Sequence, residues 1–314
     1  MRSRADRKSQ VHGLPLRFIV LTLLAAIPGA SSAAAQQSAL KVERVRFESA
    51  PQPLGNLQQK QARERGEQPK PIRGDMLEGY LARPEGEGPF PAIVQLHGCA
   101  GLGAPFKANP AGSRWIGQLV EWGYVVLVVD SFSTRNVREA CTPASFFAFS
   151  TFPILTRALD AFGGLQYLSH LPYVDRSRVA MLGFSMGGWT ALTAASERPT
   201  ELFDNPDGLK FKAAVAFYPI CTFTEGIMAV PTLILIGASD DWSSATECEQ
   251  MMHRRGGAGA PVDLVVYPGA YHGFDALIPQ PGLMLFGHWL AYNAEADVKA
   301  RAATREFLAR QLKP

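Results

Sequence analysis

The chain returns again and again to short runs that are apolar at nearly every position. They are Ala92-Ile93-Val94-Gln95-Leu96, Tyr124 to Val129, Arg178 to Leu182, Ala213 to Tyr218, Thr232 to Ile236 and Val262 to Tyr267. A strand with one wet face alternates polar and apolar residues, so continuous runs predict strands buried on both faces. The stretches between them carry helical spacing. Ser113 is placed to N-cap a helix in which Trp115, Ile116, Leu119 and Val120 share one side, and Gly123 suits the position just past its end. Further helices are predicted from about Pro153 to His170 and from about Glu295 to Leu312. Buried strands alternating with helices define an α/β fold with a mostly parallel central sheet and helices on both faces.

Before the first of these runs, Val42, Val45 and Phe47 predict an entry strand. Pro51 to Pro71 is polar and reads as a long loop, and Leu77 to Ala82 reads as an edge strand. A chain of 314 residues that is 47% hydrophobic can bury one large core. No internal repeat or low-complexity linker divides it. Residues 36–314 are therefore expected to form a single domain, with 36–71 as its N-terminal strand and long loop.

Residues 1–35 follow different rules. A basic leader (Arg2, Arg4, Arg7, Lys8, Arg17), an apolar stretch from Phe18 to Ala26, the breakers Pro28 and Gly29, and Ala33-Ala34-Ala35 match a secretory signal peptide cut after Ala35. The apolar stretch is well short of the ~20 residues that a membrane-spanning helix needs. The expected location is periplasmic or secreted. Residues 1–35 hold five basic residues and one acidic, so the formal charge of +3 for the whole chain becomes −1 without them. A near-neutral chain lacking a Lys/Arg cluster is not expected to bind nucleic acid, nor a membrane once the leader is removed.

An oxidising compartment makes Cys99, Cys141, Cys221 and Cys248 candidates for disulfides. Four cysteines allow three pairings. Cys99–Cys141 and Cys221–Cys248 are favoured, because the members of each pair follow neighbouring predicted strands. No C-x-x-C or paired-histidine spacing accompanies them, so no metal site is expected.

The chemistry is concentrated at Gly183-Phe184-Ser185-Met186-Gly187-Gly188, between a buried strand and the helix-like run Trp189 to Ala195. A serine hydroxyl is held out at the carboxyl edge of a sheet only by a sharp backbone turn, and flanking glycines tolerate the crowding of that turn. Serine becomes a useful nucleophile when a base takes its proton and a carboxylate orients the base. His272 alone follows the last core strand on a glycine-flanked loop, Pro268 to Phe274. The acid should follow the preceding strand, where Asp240 and Asp241 are adjacent; Asp240 is the expected acid and Asp241 an expected helix cap. Gln95-Leu96-His97-Gly98-Cys99 follows another buried strand. Backbone N–H groups of Cys99 and Met186 are the expected oxyanion donors, and His97 is expected to bond loop backbone.

From about Ile72 onward the chain resembles the dienelactone hydrolase family of α/β-hydrolases. The matching segments are GPFPAIVQLHGCAGL, WGYVVLVVDSF, RVAMLGFSMGGW, PTLILIGASDDW and YPGAYHGFD. The resemblance implies an α/β-hydrolase fold without a large cap domain. It also implies a triad carried here by Ser185, Asp240 and His272, and cofactor-free hydrolysis of small esters or lactones through an acyl-enzyme. Dienelactone hydrolases proper carry cysteine at the turn and an acidic residue near the oxyanion loop; this chain has Ser185, and its loop reads Gln95-Leu96-His97. Arg135 is a candidate for a substrate carboxylate. Phe147 and Phe149, in a crowd with Phe146 and Phe152, are candidates for a pocket wall. The alternatives are a serine peptidase of prolyl-oligopeptidase type, or a binding protein that keeps the fold without turnover.

Overall fold

The computed structural model describes residues 40–313, apart from 53, 151–152, 198–204 and 206. The leader at 1–35 and Phe152 thus lie outside the described residues. Among the described residues an eight-stranded sheet runs in the order β1-β2-β4-β3-β5-β6-β7-β8. Its strands are Val42–Glu48 (β1), Met76–Ala82 (β2), Phe90–Leu96 (β3), Val125–Asp130 (β4), Val174–Phe184 (β5), Ala213–Phe217 (β6), Thr232–Gly237 (β7) and Val262–Tyr267 (β8).

From β4 to β8 every pairing is parallel, while β1 and β2 join antiparallel. All residues of β4, β6 and β7 are buried, as continuous apolar runs require. The segment Leu77–Ala82 is not an edge strand: β2 lies between β1 and β4, and the outer position belongs to β1. The short run at 42–48 carries charge at Glu43, Arg44, Arg46 and Glu48, which suits an edge that must not recruit further strands.

Residues 51–71 are not only loop, because Asn56–Glu64 is helical. Its sequence, Asn-Leu-Gln-Gln-Lys-Gln-Ala-Arg-Glu, is rich in good helix formers and buries only Ala62, so hydrophobic periodicity leaves little trace of it. The predicted helices occur at Arg114–Glu121, with the Ser113 hydroxyl accepting from the Ile116 N–H, at Pro153–Ser169 and at Ala294–Gln311. A small hairpin of β9 (Leu283–Leu285) and β10 (His288–Leu290) stands outside the main sheet. Two disulfides, Cys99–Cys141 and Cys221–Cys248, close loops of 42 and 27 residues.

Candidate active site

The turn after β5 is set by steric exclusion. A Cβ at Gly183 would lie 2.0 Å from the Gly187 carbonyl oxygen, and one at Gly187 would lie 2.2 Å from that of Leu96. No side chain fits at either distance, so the chain can cross tightly from strand to helix only with glycine there. Ser185 sits at the apex with φ 54° and ψ −119°, a backbone conformation costly for a non-glycine residue. Its N–H donates to the Phe217 carbonyl at 2.9 Å, which ties the turn to β6. The helix Met186–Ala195 starts immediately afterwards, so its positive end faces the Ser185 hydroxyl region.

Two loops bring partners to this hydroxyl. Ser185 Oγ donates to His272 Nε2 at 2.9 Å, and His272 Nδ1 donates to Asp240 Oδ2 at 2.9 Å. The other oxygen of Asp240 accepts the N–H groups of Trp242 (2.9 Å) and Ser243 (2.8 Å), which fixes the carboxylate's orientation. His272 and Asp240 are both buried. Asp241 turns the other way and does not cap the following helix: its carboxylate accepts from the Trp289 N–H at 3.2 Å and lies 3.6 Å from His288 Nδ1. One aspartate of the pair therefore orients the histidine, and its neighbour holds the β9–β10 hairpin.

The imidazole of His272 is also packed against two rings, Tyr218 at 4.7 Å and Trp242 at 5.0 Å between ring centroids. Tyr218 is held by its hydroxyl, which donates to Asp275 at 2.8 Å. Asp275 accepts from Trp115 Nε1 at 2.7 Å as well. Burial raises the carboxyl pKa of Asp275 despite these two donors, and it pushes the Tyr218 phenol far up.

The amides of Cys99, on the loop after β3, and of Met186, at the start of the helix after Ser185, donate to no acceptor among the described residues. The orientation of the Cys99 amide follows from its neighbours. His97 Nε2 accepts from the Ser131 N–H at 3.3 Å, so the ring proton is on Nδ1, which donates to the Gly98 carbonyl at 2.7 Å. That carbonyl shares a trans peptide with the Cys99 N–H, and the two point in opposite directions. Fixing one aims the other. Burial, reinforced by the Arg157 guanidinium, holds the His97 imidazole neutral with a pKa of about 3. Arg157 is itself fully buried and donates to the His97 carbonyl at 2.7 Å, a contact that no local sequence signal announces.

Ser185 opens into a cleft of about 720 Å³ lined by the Cys99–Cys141 disulfide, Phe146, Phe147, Ile154, Met186, Trp189, Ile220, Phe223, Trp242, Phe286 and His288. Phe147 lines it as expected. Phe149 does not; its ring packs on Phe132 at 5.2 Å. Arg135 is not in the cleft either: both its terminal nitrogens bond Asp160 at 2.8 Å and its Nε bonds Asp75 at 2.8 Å. The structure thus corrects the reading of Arg135 as a carboxylate binder, since those anions occupy the guanidinium. The sequence reading missed Trp189, Trp242, Phe223, Phe286 and His288. Only position relative to the motifs marks Trp189 and Trp242, four residues after Ser185 and two after Asp240.

Sheet order, the turn at Ser185 and the loops converging on it define an α/β-hydrolase. More narrowly, the chain belongs to the dienelactone hydrolase family, whose model matches residues 77–312, and it is a hydrolase of the ester- and lactone-cleaving kind. It is 23% identical over 252 residues to a Synechocystis sp. protein described as a "putative carboxymethylenebutenolidase", covering 77% of this chain and 95% of that one. A dienelactone hydrolase-like promiscuous phosphotriesterase from metagenomic libraries superposes with a TM-score of 0.61 at 19% identity, over 88% of this chain and 100% of the other. The Pyrococcus horikoshii acylaminoacyl peptidase superposes with a TM-score of 0.57 at 16% identity, over 88% of this chain and 42% of the peptidase. At such identities these structures share the fold.

Proposed function

We propose that the protein is an exported serine hydrolase that cleaves carboxylic esters or lactones through an acyl-enzyme, with Ser185 as nucleophile, His272 as base and Asp240 as orienting acid. The observation that carries this is the unbroken chain of hydrogen bonds from Ser185 through His272 to Asp240. His272 takes the Ser185 proton as Oγ attacks the carbonyl carbon, and the N–H groups of Met186 and Cys99 receive the charge on the oxygen. His272 then protonates the departing alcohol, and water attacks the acyl-enzyme by the same route. The two disulfides support export, and residues 36–314 are proposed as one catalytic domain.

The test is turnover of p-nitrophenyl esters, lactones and aminoacyl amides by wild type and Ser185→Ala. Ester or lactone turnover lowered by at least about four orders of magnitude in kcat is expected. Turnover that persists in the variant, or amide cleavage exceeding ester cleavage, overturns the reading. N-terminal sequencing of the exported protein should begin at Gln36.

A further inference from the structure

Resting on that reading, we infer that the substrate is an uncharged ester bulky on both sides of the scissile bond, its acyl part seated along Phe146, Trp189 and Phe223 and its alcohol part against Trp242, Phe286 and His288.

The first ground is charge. Among the described residues lining the cleft none is lysine or arginine. Arg135, the residue that the sequence offered for a substrate carboxylate, is engaged by Asp160 and Asp75. His288 lies beside the Asp241 carboxylate, which would neutralise any charge on its ring. A substrate carboxylate entering this cleft would lose water and gain no cation, an unfavourable exchange.

The second ground is the arrangement of rings. Phe146 stacks on Trp189 with centroids 5.7 Å apart and planes 6° from parallel, and Trp189 stacks on Phe223 at 5.3 Å. These rings form one continuous apolar row. A separate row comes from the acid loop and the hairpin: Trp242 stacks on His288 at 4.7 Å and meets Phe286 at 6.1 Å. With about 720 Å³ of space, the cleft holds far more than an acetyl group.

The third ground assigns the two rows. His272 must hand its proton to the leaving oxygen, so the alcohol part lies beside the imidazole. Trp242 packs directly on that imidazole at 5.0 Å, which places its row on the alcohol side. The Trp189 row begins on the nucleophile's own helix, where the Trp189 N–H donates to the Ser185 carbonyl at 2.9 Å, and it receives the acyl part.

The experiment measures kcat/KM for two ester series and one charged control. In the first, p-nitrophenyl esters run from acetate to decanoate; in the second, hexanoate esters run from methyl to 2-naphthylmethyl, with leaving alcohols of similar acidity so that bulk alone varies. The control compares p-nitrophenyl hexanoate with the same ester ending in a carboxylate. Values should rise at least about 10-fold along each series and fall at least about 10-fold for the carboxylate. Trp189→Ala should flatten the acyl series more than the alcohol series, and Phe286→Ala the reverse. A preference for acetate or for the carboxylate, or crossed effects of the two variants, overturns the inference. Each substrate is also run with Ser185→Ala. Turnover surviving that substitution refutes the serine mechanism itself, whereas Ser185-dependent turnover with the wrong preference refutes only the substrate class. A wild-type enzyme inert on every ester refutes both.

Discussion

The floor of the cleft and its rim are built by opposite means. At the floor, Ser185, His272 and Asp240 are joined by directed hydrogen bonds, and glycines whose replacement would drive a Cβ into backbone oxygens pin the turn beneath them. At the rim, Phe147, Phe223 and Phe286 are 67%, 73% and 45% exposed, and their rings meet other rings edge-on, stacked and tilted respectively. Proton transfer needs groups held within tenths of an ångström, while apolar contact is non-directional and tolerates many shapes. The comparison teaches that one cleft can be fixed where hydrogen bonds direct its groups and permissive where only rings meet.

The sharpest way to break that comparison is Gly187→Ala. The added methyl would sit 2.2 Å from the Leu96 carbonyl oxygen. A loss above about 3 kcal/mol is expected, read as soluble yield and unfolding midpoint. A variant that folds and works normally would show that the floor is not rigid. Asp240→Asn keeps the shape but leaves His272 without its anionic partner, and kcat should fall by about four orders of magnitude with the unfolding midpoint nearly unchanged. If instead Asp241→Asn has the larger effect, the acid is misassigned.

His97 tests the other edge of the floor. Its pKa is held at about 3 in the folded chain, against 6.5 ordinarily, chiefly by burial. The folded state therefore takes up this proton less readily than the unfolded chain. The associated stability is complete above about pH 6.5 and drains away as pH falls toward 3. Urea unfolding across that window should lose stability more steeply in wild type than in His97→Gln; equal slopes would mean the ring is not held neutral by its surroundings. The smallest effect belongs to the rim, where Phe223→Ala should change stability by no more than about 0.5 kcal/mol. A larger loss in denaturant titration would make that ring part of the core.

Much of the framework is legible without coordinates, for particular reasons. Val125–Asp130 and Thr232–Gly237 are recognisable because burial on both faces leaves no polar alternation. The Ser185 turn is recognisable because its steric demand permits only glycine at fixed spacing. Asn56–Glu64 escaped because a helix lying on the surface with one buried alanine has almost no hydrophobic signature. The β9–β10 hairpin escaped because three-residue strands are too short to show a period. Arg135 was misread because nothing near it in the chain announces Asp160, 25 residues away, or Asp75, 60 residues away.

Consecutive residues by themselves determined the buried strands, the glycine-flanked turn at Ser185 and the order in which Asp240 and His272 follow it, since burial and backbone sterics act locally. Tertiary structure alone decided that Asp241 holds the β9–β10 hairpin instead of capping a helix, how His97 aims the Cys99 amide, and that rings at 146, 189, 223, 242 and 286 share one cleft. Those outcomes depend on where loop ends meet above the sheet, and side-chain direction there is set by contacts between segments far apart in the chain.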